Sequence, residues 1–510
     1  MEIIWSTVLT VWGWLLDHLL YINLAFSIII IFFQRRDPRS VWTWLLALYF
    51  IPVFGIVFYL LFGQDMKKSR MFRVKEVSDR LNLPVKSQED IIRSDDMPEE
   101  MMDPMSRDFK SLIIYNLETS GSVLTVNNQV QIYTDGQAKF EALRNALRQA
   151  RRFIHIQYYI IKNDELFDSI VPILLDKVRE GVEVRILCDG MGGRFMPKKR
   201  WDQMRRAGIK VGVFFPPFLG WLNLRVNYRN HRKIVVVDGA AGFVGGFNIG
   251  REYISRDPKF GYWRDTHLEI KGEAAISLQI RFALDWNYVT GENLFKEIRY
   301  FGEEAEYARR RLNGRIHAVW PDPDHVNEMV CMQIITSGPD TREPHIRNNY
   351  LELFHKAKHH IYIQTPYFIP DDAIFSSLKI AALSGVDVRL MIPCKPDHPF
   401  VYWATCSYAG ELLDYGARVY VYENGFLHSK GIMVDGRVSC YGTANMDIRS
   451  FELNFEVNAT IYDEDVTGQL EEAFMNDLPH CREITREEYG DRNLWMRIKE
   501  QSSRLLSPLL

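Results

Sequence analysis

The sequence predicts an α/β protein made of two tandem repeats packed with pseudo-two-fold symmetry, preceded by a hairpin of two transmembrane helices. Three observations lead there. A short motif of polar residues occurs twice, 197 residues apart. The strand and helix patterns around it also occur twice. The first 63 residues are a different material, apolar for most of their length.

In the hairpin, Val41–Gly63 is a run of 23 uncharged residues, and a helix needs about 20 to cross the hydrocarbon of a bilayer. Leu19–Phe33 is equally apolar but only 15 residues long, and it completes a span by recruiting the turns around Asp17 and His18. It lacks the basic leader and the small-residue cleavage site of a signal peptide. Gln34–Ser40 joins the two segments, so the chain returns to its starting side. That loop carries three basic residues, whereas five (Lys67, Lys68, Arg70, Arg73 and Lys75) follow the second span. The excess favours a catalytic region on the cytoplasmic face. Residues 64–110 read as a charged linker, basic at first and acidic later. Its basic part is either a solvated connector or a segment lying on anionic headgroups.

Residues 111–325 and 326–510 are the two repeats. Gln131–Gly136 corresponds to Gln333–Gly338, and a helical pattern follows each, Phe140–Ala150 and Ile346–Ala357. Alternating apolar runs come next, Phe153–Gln157 and His360–Gln364. A further helix then leads to Gly181–Leu187 in one repeat and Gly385–Met391 in the other. Strands alternating with helices imply a largely parallel sheet in each half.

The motif itself is His-x-Lys, four residues, Asp, six residues, then Gly-Gly/Thr-x-Asn. It supplies His231, Lys233, Asp238 and Asn248 in the first copy, and His428, Lys430, Asp435 and Asn445 in the second. Each histidine and lysine precedes a short apolar run that reads as a buried strand, with both side chains on one face. Two such half-sites meeting face to face suit a phosphodiester. Each offers an imidazole for chemistry, with an ammonium and an amide for the phosphoryl oxygens. Asp238 and Asp435 sit at the far end of the run before a turn glycine, where local backbone hydrogen bonding is the expected role.

The halves differ before the histidine. From Gly208 to His231 is 23 residues, but from Gly416 to His428 only 12. The extra residues fall around Phe214–Leu224, an apolar stretch that is either a core-packed loop or a lip touching lipid. Its prolines and glycine favour the lip.

The duplicated motif resembles that of the phospholipase D superfamily. The words Asn230–Gly239, Gly245–Gly250 and Gly442–Phe451, after a membrane hairpin, are similar to those of the bacterial cardiolipin synthases. The resemblance spans nearly the whole chain, least in residues 64–110. It implies an enzyme of the cell membrane that joins two phosphatidylglycerol molecules into cardiolipin and glycerol through a covalent phosphatidyl-histidine, with no metal and no cofactor. Residue chemistry leaves open which histidine attacks, and the resemblance favours His231. Asp265 and Glu456, at matching places in the strands that follow the motifs, resemble the family's histidine-orienting acids; simple ion pairing is the competing role. The rival activity is a hydrolase of the same fold, a phospholipase D or a nuclease with water as acceptor.

Composition bounds the remainder. The net charge of −3 provides no basic field for a nucleic acid; the partners that the resemblance implies are phosphatidylglycerol and cardiolipin in the membrane. The six cysteines form no C-x-x-C pair or Cys/His cluster, against a zinc site or a disulfide framework. The oligomeric state is not encoded legibly. Near the C-terminus, Leu494–Leu506 has the apolar spacing of a helix, expected to pack on the second half, with an interfacial membrane contact as the other reading.

Overall fold

In the computed structural model, the described residues are 107–216, 227–301, 330–341 and 343–507, together with Trp14, 17–32, 38–53, 55, 56 and 59 toward the N-terminus. The linker before residue 107 and the apolar stretch 217–226 lie outside them.

The N-terminal unit contains helices α1 (Leu19–Phe32) and α2 (Pro38–Phe50). Ile30, Leu48 and Tyr59 form its small core, with Phe26 and Trp44 edge-on to Tyr59. Asn23 donates its amide to the carbonyl of Leu48 across the pair at 2.9 Å. Among the described residues no helix is long and apolar enough to cross a membrane. The two helices are 14 and 13 residues, where a span requires about 20.

The second unit opens with α3 (Lys110–Ser120) and β1 (Leu124–Thr125), which turn on Gly121 in the left-handed conformation. β1 joins the sheet of the second half, and α3 packs on the same half. Leu112, Ile113 and Leu117 share a core with Ile346, Tyr350 and Leu353, and β1 pairs with β10 (Cys331–Ser337).

The first half is an eight-stranded sheet in the order β15-β9-β8-β7-β3-β4-β5, with β2 also on β9. Its strands are β2 (Asn128–Asp135), β3 (Phe153–Tyr158), β4 (Glu183–Asp189), β5 (Lys210–Phe214), β7 (Ile234–Val237), β8 (Ala241–Gly245) and β9 (Trp263–Gly272). β15 (Phe426–Leu427) joins from the second half. The second half repeats the design as β10-β19-β17-β16-β11-β13-β14-β20, with β1 at one edge and β6 (Arg229–Asn230) on β19. Here β11 is His360–Gln364, β13 Asp387–Pro393, β14 Arg418–Tyr422, β16 Gly431–Val434, β17 Val438–Gly442, β19 Asn454–Tyr462 and β20 Cys481–Ile484. A two-stranded ribbon, β12 (Phe368–Ile369) with β18 (Met446–Asp447), completes the strands.

The sheets are mixed, which corrects the expectation of largely parallel ones. β3-β4-β5 and β11-β13-β14 are parallel, because helices connect them. Each motif strand instead runs directly into its neighbour through a tight turn, β7 to β8 and β16 to β17, and so short a connection permits only antiparallel pairing. Helices α4 (Gly136–Gln149), α5 (Glu165–Arg179), α6 (Lys198–Arg206) and α7 (Glu273–Thr290) cover the first sheet. α8 (His345–Lys356), α9 (Asp372–Leu383), α10 (Pro399–Leu413) and α12 (Glu464–Asp477) cover the second, with the short α11 (Ile448–Glu452) and α13 (Arg486–Gly490) and the C-terminal α14 (Leu494–Leu505). The two sheets meet over one apolar core, in which Val244, Leu268 and Ile270 of the first half share a cluster with Met433, Val457 and Ala459 of the second.

Phe214 and Phe215 are not on a lip. Phe214 ends β5 and is fully buried; Phe215, at φ 51°, is nearly so. Their rings meet that of Phe455 at 5.1 and 6.2 Å. This part of the stretch is core, because strand pairing to β4 carries it inward. The rest of the expected lip, with Phe218 and Trp221, falls in 217–226, outside the described residues.

Candidate active site

Two dipeptides cross between the halves. β6, immediately before His231, pairs in parallel with β19 of the second half. β15, immediately before His428, pairs in parallel with β9 of the first. The exchange continues into the motif, where the His231 N–H donates to the Phe455 carbonyl at 3.0 Å and the His428 N–H to the Arg264 carbonyl at 2.7 Å. Each histidine therefore docks beside the acid that follows in the other half's strand.

The side chains meet accordingly. His231 Nδ1 lies 2.9 and 3.0 Å from the two carboxylate oxygens of Glu456, and His428 Nδ1 lies 2.6 Å from Asp265 Oδ2. A carboxylate only accepts, so each Nδ1 carries the hydrogen and each Nε2 is left with its lone pair. The acids are wholly buried, whereas the imidazoles keep 12% and 10% exposure. Lys233 Nζ donates to the His231 carbonyl at 2.6 Å, and Lys430 Nζ makes the same bond to the His428 carbonyl. Both lysines therefore curl back beside their histidines.

The two imidazoles, two lysine amines and two carboxyl groups form one electrostatic cluster. Burial draws His428 down to about 4, with Lys430 adding to the effect and Asp265 opposing it. Burial also lowers His231, against the pull of Glu456. The lysines are drawn down by burial to about 7 for Lys233 and about 8 for Lys430, and each responds to the acids of both halves. Burial works to raise Asp265, but Lys430 and His428 outweigh it and hold the carboxyl below its ordinary value. An anion beside them favours the charged form of both lysines.

The acids are held differently. Glu456 accepts further hydrogen bonds from the Thr443 hydroxyl at 2.6 Å and the Asn454 amide at 3.3 Å. Asp265 accepts from the Thr266 N–H at 2.8 Å. At the position matching Thr443, the first motif has Gly246, where a Cβ would lie 1.9 Å from Asp265 Oδ1. Glycine is required there by close approach of the carboxylate.

The two asparagines are both buried but differ in partners. Asn248 accepts from the Ile160 N–H at 3.1 Å and donates to the Tyr253 hydroxyl at 2.9 Å. Asn445 Oδ1 has no hydrogen-bond partner among the described residues. Asp238 and Asp435 are not brought to the cluster. Each lies at the opposite end of its strand with positive φ, and its carboxylate accepts three backbone N–H groups. These belong to Arg151, Arg152 and Phe153 in one half and to Lys358, His359 and His360 in the other. They clamp the start of β3 and of β11 beneath the motif strand, and the clamped turns are distant in sequence.

A buried layer behind the site was not singled out from sequence. Arg232 makes a two-pronged pair with Asp285 at 2.8 and 2.6 Å and donates to the Glu456 carbonyl at 3.1 Å. Asp285 also accepts from the Gln157 amide at 2.8 Å. In the second half Asp477 accepts from Gln364 at 2.8 Å and from Arg264, an arginine of the first half, at 3.0 Å. The repeated glutamine, Gln157 and Gln364, was the available signal.

Two α/β sheets of one design, each supplying a histidine and a lysine and each lending the other its acid, define a phospholipase D-like protein of two repeats. A family model described as "Cardiolipin synthase, PLD-like domain" matches residues 143–266 and 350–478, and a "Phospholipase_D-nuclease N-terminal" model matches 22–64. Cardiolipin synthase 2 of Staphylococcus epidermidis is 47% identical over 491 residues, 96% of each chain. The major cardiolipin synthase ClsA of Bacillus subtilis is 45% identical over 506 residues, 97% of this chain and 99% of that one. The chain belongs to the cardiolipin synthase family, phosphatidyltransferases of the phospholipase D superfamily. The crystal structure of phosphatidylserine synthase from Haemophilus influenzae has the same fold, with a TM-score of 0.58 over 80% of this chain and 100% of that one at 16% identity.

Proposed function

We propose that this site joins two phosphatidylglycerol molecules into cardiolipin and glycerol in two steps. His231 Nε2 attacks the phosphorus of the first lipid. The bond to the glycerol headgroup breaks, and His428 protonates the departing alkoxide, leaving a phosphatidyl group on His231. The terminal hydroxyl of a second phosphatidylglycerol then gives its proton to His428 and attacks the same phosphorus. Cardiolipin leaves and His231 is regenerated. Lys233, Lys430 and Asn445 face the phosphoryl oxygens, and Asn248 holds the rim through Tyr253. Glu456 and Asp265 fix the tautomers and stabilise whichever imidazolium forms.

The observation that carries this reading is the reciprocal pairing of His231 with Glu456 and His428 with Asp265, at 2.9 and 2.6 Å. Two equivalent, oppositely donated histidines suit a reaction in which one holds the phosphorus while the other moves protons twice. The choice of His231 as nucleophile follows the superfamily resemblance. Burial draws His428 down to about 4, and a phosphodiester anion beside it raises it toward the range in which it acts as an acid.

The hairpin of residues 1–63 is proposed to anchor the chain in the bacterial cell membrane, with the catalytic unit on the cytoplasmic side. The 23-residue uncharged run and the basic excess after it support this. The test of function is purified full chain with labelled phosphatidylglycerol and no added metal. Cardiolipin and free glycerol in equal amounts are expected. Phosphatidic acid as the main product would make the chain a hydrolase.

A further inference from the structure

Helix α14 is amphipathic, but it is turned the wrong way for a helix that packs on a core. At about 100° per residue, Leu494, Trp495, Ile498, Leu505 and Leu506 form one apolar stripe. That stripe faces outward, with exposures of 75, 64, 45 and 83% for the first four. The opposite face is polar and buried. Glu500, Ser503 and Ser507 are at most 4% exposed, Glu500 pairs with Arg492 at 2.7 Å, and Arg504 pairs with Glu411 of α10 at 2.6 Å. The helix docks on α10 through the Arg504–Glu411 pair, braces Glu500 against Arg492 and leaves its apolar residues bare. The helix packs on the second half, as expected, but with its polar face inward and its apolar residues outward.

Charge identifies what covers the stripe. Arg497 and Lys499 flank it on its two edges, and neither forms an ion pair among the described residues. Lys499 instead lies over the rings of Trp403 and Trp495, at 5.0 and 5.6 Å. Arg497 donates to the Gly490 carbonyl, so both cations keep a net charge that no carboxylate among the described residues neutralises, and an apolar stripe with such borders matches a bilayer surface that carries anionic headgroups.

Position agrees. Arg504 reaches Glu411 and Lys499 reaches Trp403, so α14 runs parallel to α10 and their N-termini lie at the same end. α10 follows the C-terminal end of β13. Its first turn carries Phe400, 58% exposed, three residues after Asp397, which accepts from the Tyr367 hydroxyl, and the residue after Tyr367, Phe368, pairs with Met446 next to Asn445. The stripe and Phe400 therefore border the active-site side of the second half.

We propose that the outer face of α14, continued by Phe400, lies in the headgroup region of a bilayer containing anionic lipid and presents the active-site rim to it. This goes beyond the transferase reading, and its first test needs no turnover. Full-length Ser502→Cys places an environment-sensitive fluorophore within the stripe, with Glu472→Cys on α12 as the distant control. The labelled chains are reconstituted in phosphatidylcholine/phosphatidylserine vesicles carrying a shallow nitroxide lipid, and the signal of identically treated parent protein is subtracted. The label at residue 502 is expected to lose most of its emission, several-fold more than the label at 472. Equal quenching at both positions, or none at 502, overturns the proposal. So does protection of residue 502 that persists without vesicles and scales with protein concentration, which would make the stripe a contact between two copies. A Leu494→Ser/Trp495→Ser/Ile498→Ser chain of unchanged melting temperature should lose vesicle turnover at least ten-fold while keeping its rate in detergent micelles. Equal rates on vesicles, or equal losses in both, also overturn it.

Discussion

Replacing Glu456 with glutamine preserves shape and removes one charge. Glu456 is fully buried and accepts from His231, Thr443 and Asn454. A glutamine has one acceptor oxygen, so its NH2 must face either the His231 Nδ1–H or the Thr443 hydroxyl. Facing the histidine, it forces the other tautomer and places a hydrogen on Nε2, where the lone pair is needed. Facing the threonine, it still leaves the developing imidazolium without its counter-charge. A charge-assisted bond contributes about 1.5–3 kcal/mol, and an acid-to-amide change behind a catalytic histidine costs about 10⁴-fold where tautomer and charge are lost together. The expected loss in kcat is therefore on the order of 10³–10⁴, or about 4–5.5 kcal/mol. Asp265→Asn should lose as much through His428, although residue 265 lies in the first repeat and His428 in the second. The double variant should be scarcely slower than either single one, because the two histidines serve one reaction. The assay is initial rate of cardiolipin formation in detergent micelles, with melting temperature as the control for folding. Either single variant within ten-fold of the parent would refute the cross-paired site.

Three further outcomes are expected. His231→Ala and His428→Ala should each abolish turnover without lowering the melting temperature, and a chelator should leave the parent rate unchanged; a loss restored by Mg²⁺ would point to metal chemistry. Phe214→Ala should destabilise by about 3–5 kcal/mol and reduce turnover of long- and short-chain substrates in parallel, since its ring packs on Phe455 beside Glu456; selective loss on long chains would restore the lip. Lys233 and Lys430 lose their protons as pH rises through about 7 and about 8 in the empty site, and an anionic phosphodiester binds the charged forms. KM should accordingly rise above about pH 8, with proton uptake on binding measurable by calorimetry in buffers of different ionisation enthalpy. A KM that is flat up to about pH 10 would contradict those lysine assignments.

Much of this protein is written locally. The 197-residue offset between motifs, the paired strand and helix patterns and the apolar runs after each lysine are properties of neighbouring residues. They suffice for the two α/β repeats and for the His, Lys and Asn set. Strand–helix alternation predicts parallel sheets, and it fails where a tight turn, not a helix, follows the motif strand. The turn glycines after Asp238 and Asp435 point to local backbone bonding, whereas the carboxylates bind amides 85 to 87 and 75 to 77 residues upstream.

The tertiary structure decided the partners. Nothing in the order of residues indicates that Asp265 serves His428 and Glu456 serves His231, because that choice depends on β6 and β15 each joining the opposite sheet. Strand pairing needs only free backbone edges, which every sequence has; which edge is available depends on how two folded surfaces meet. The same holds for α14, whose apolar spacing is plain in the sequence. Its direction is set by Glu500 and Arg504 finding partners in Arg492 and Glu411, so ion pairs made on folding turned the greasy face outward.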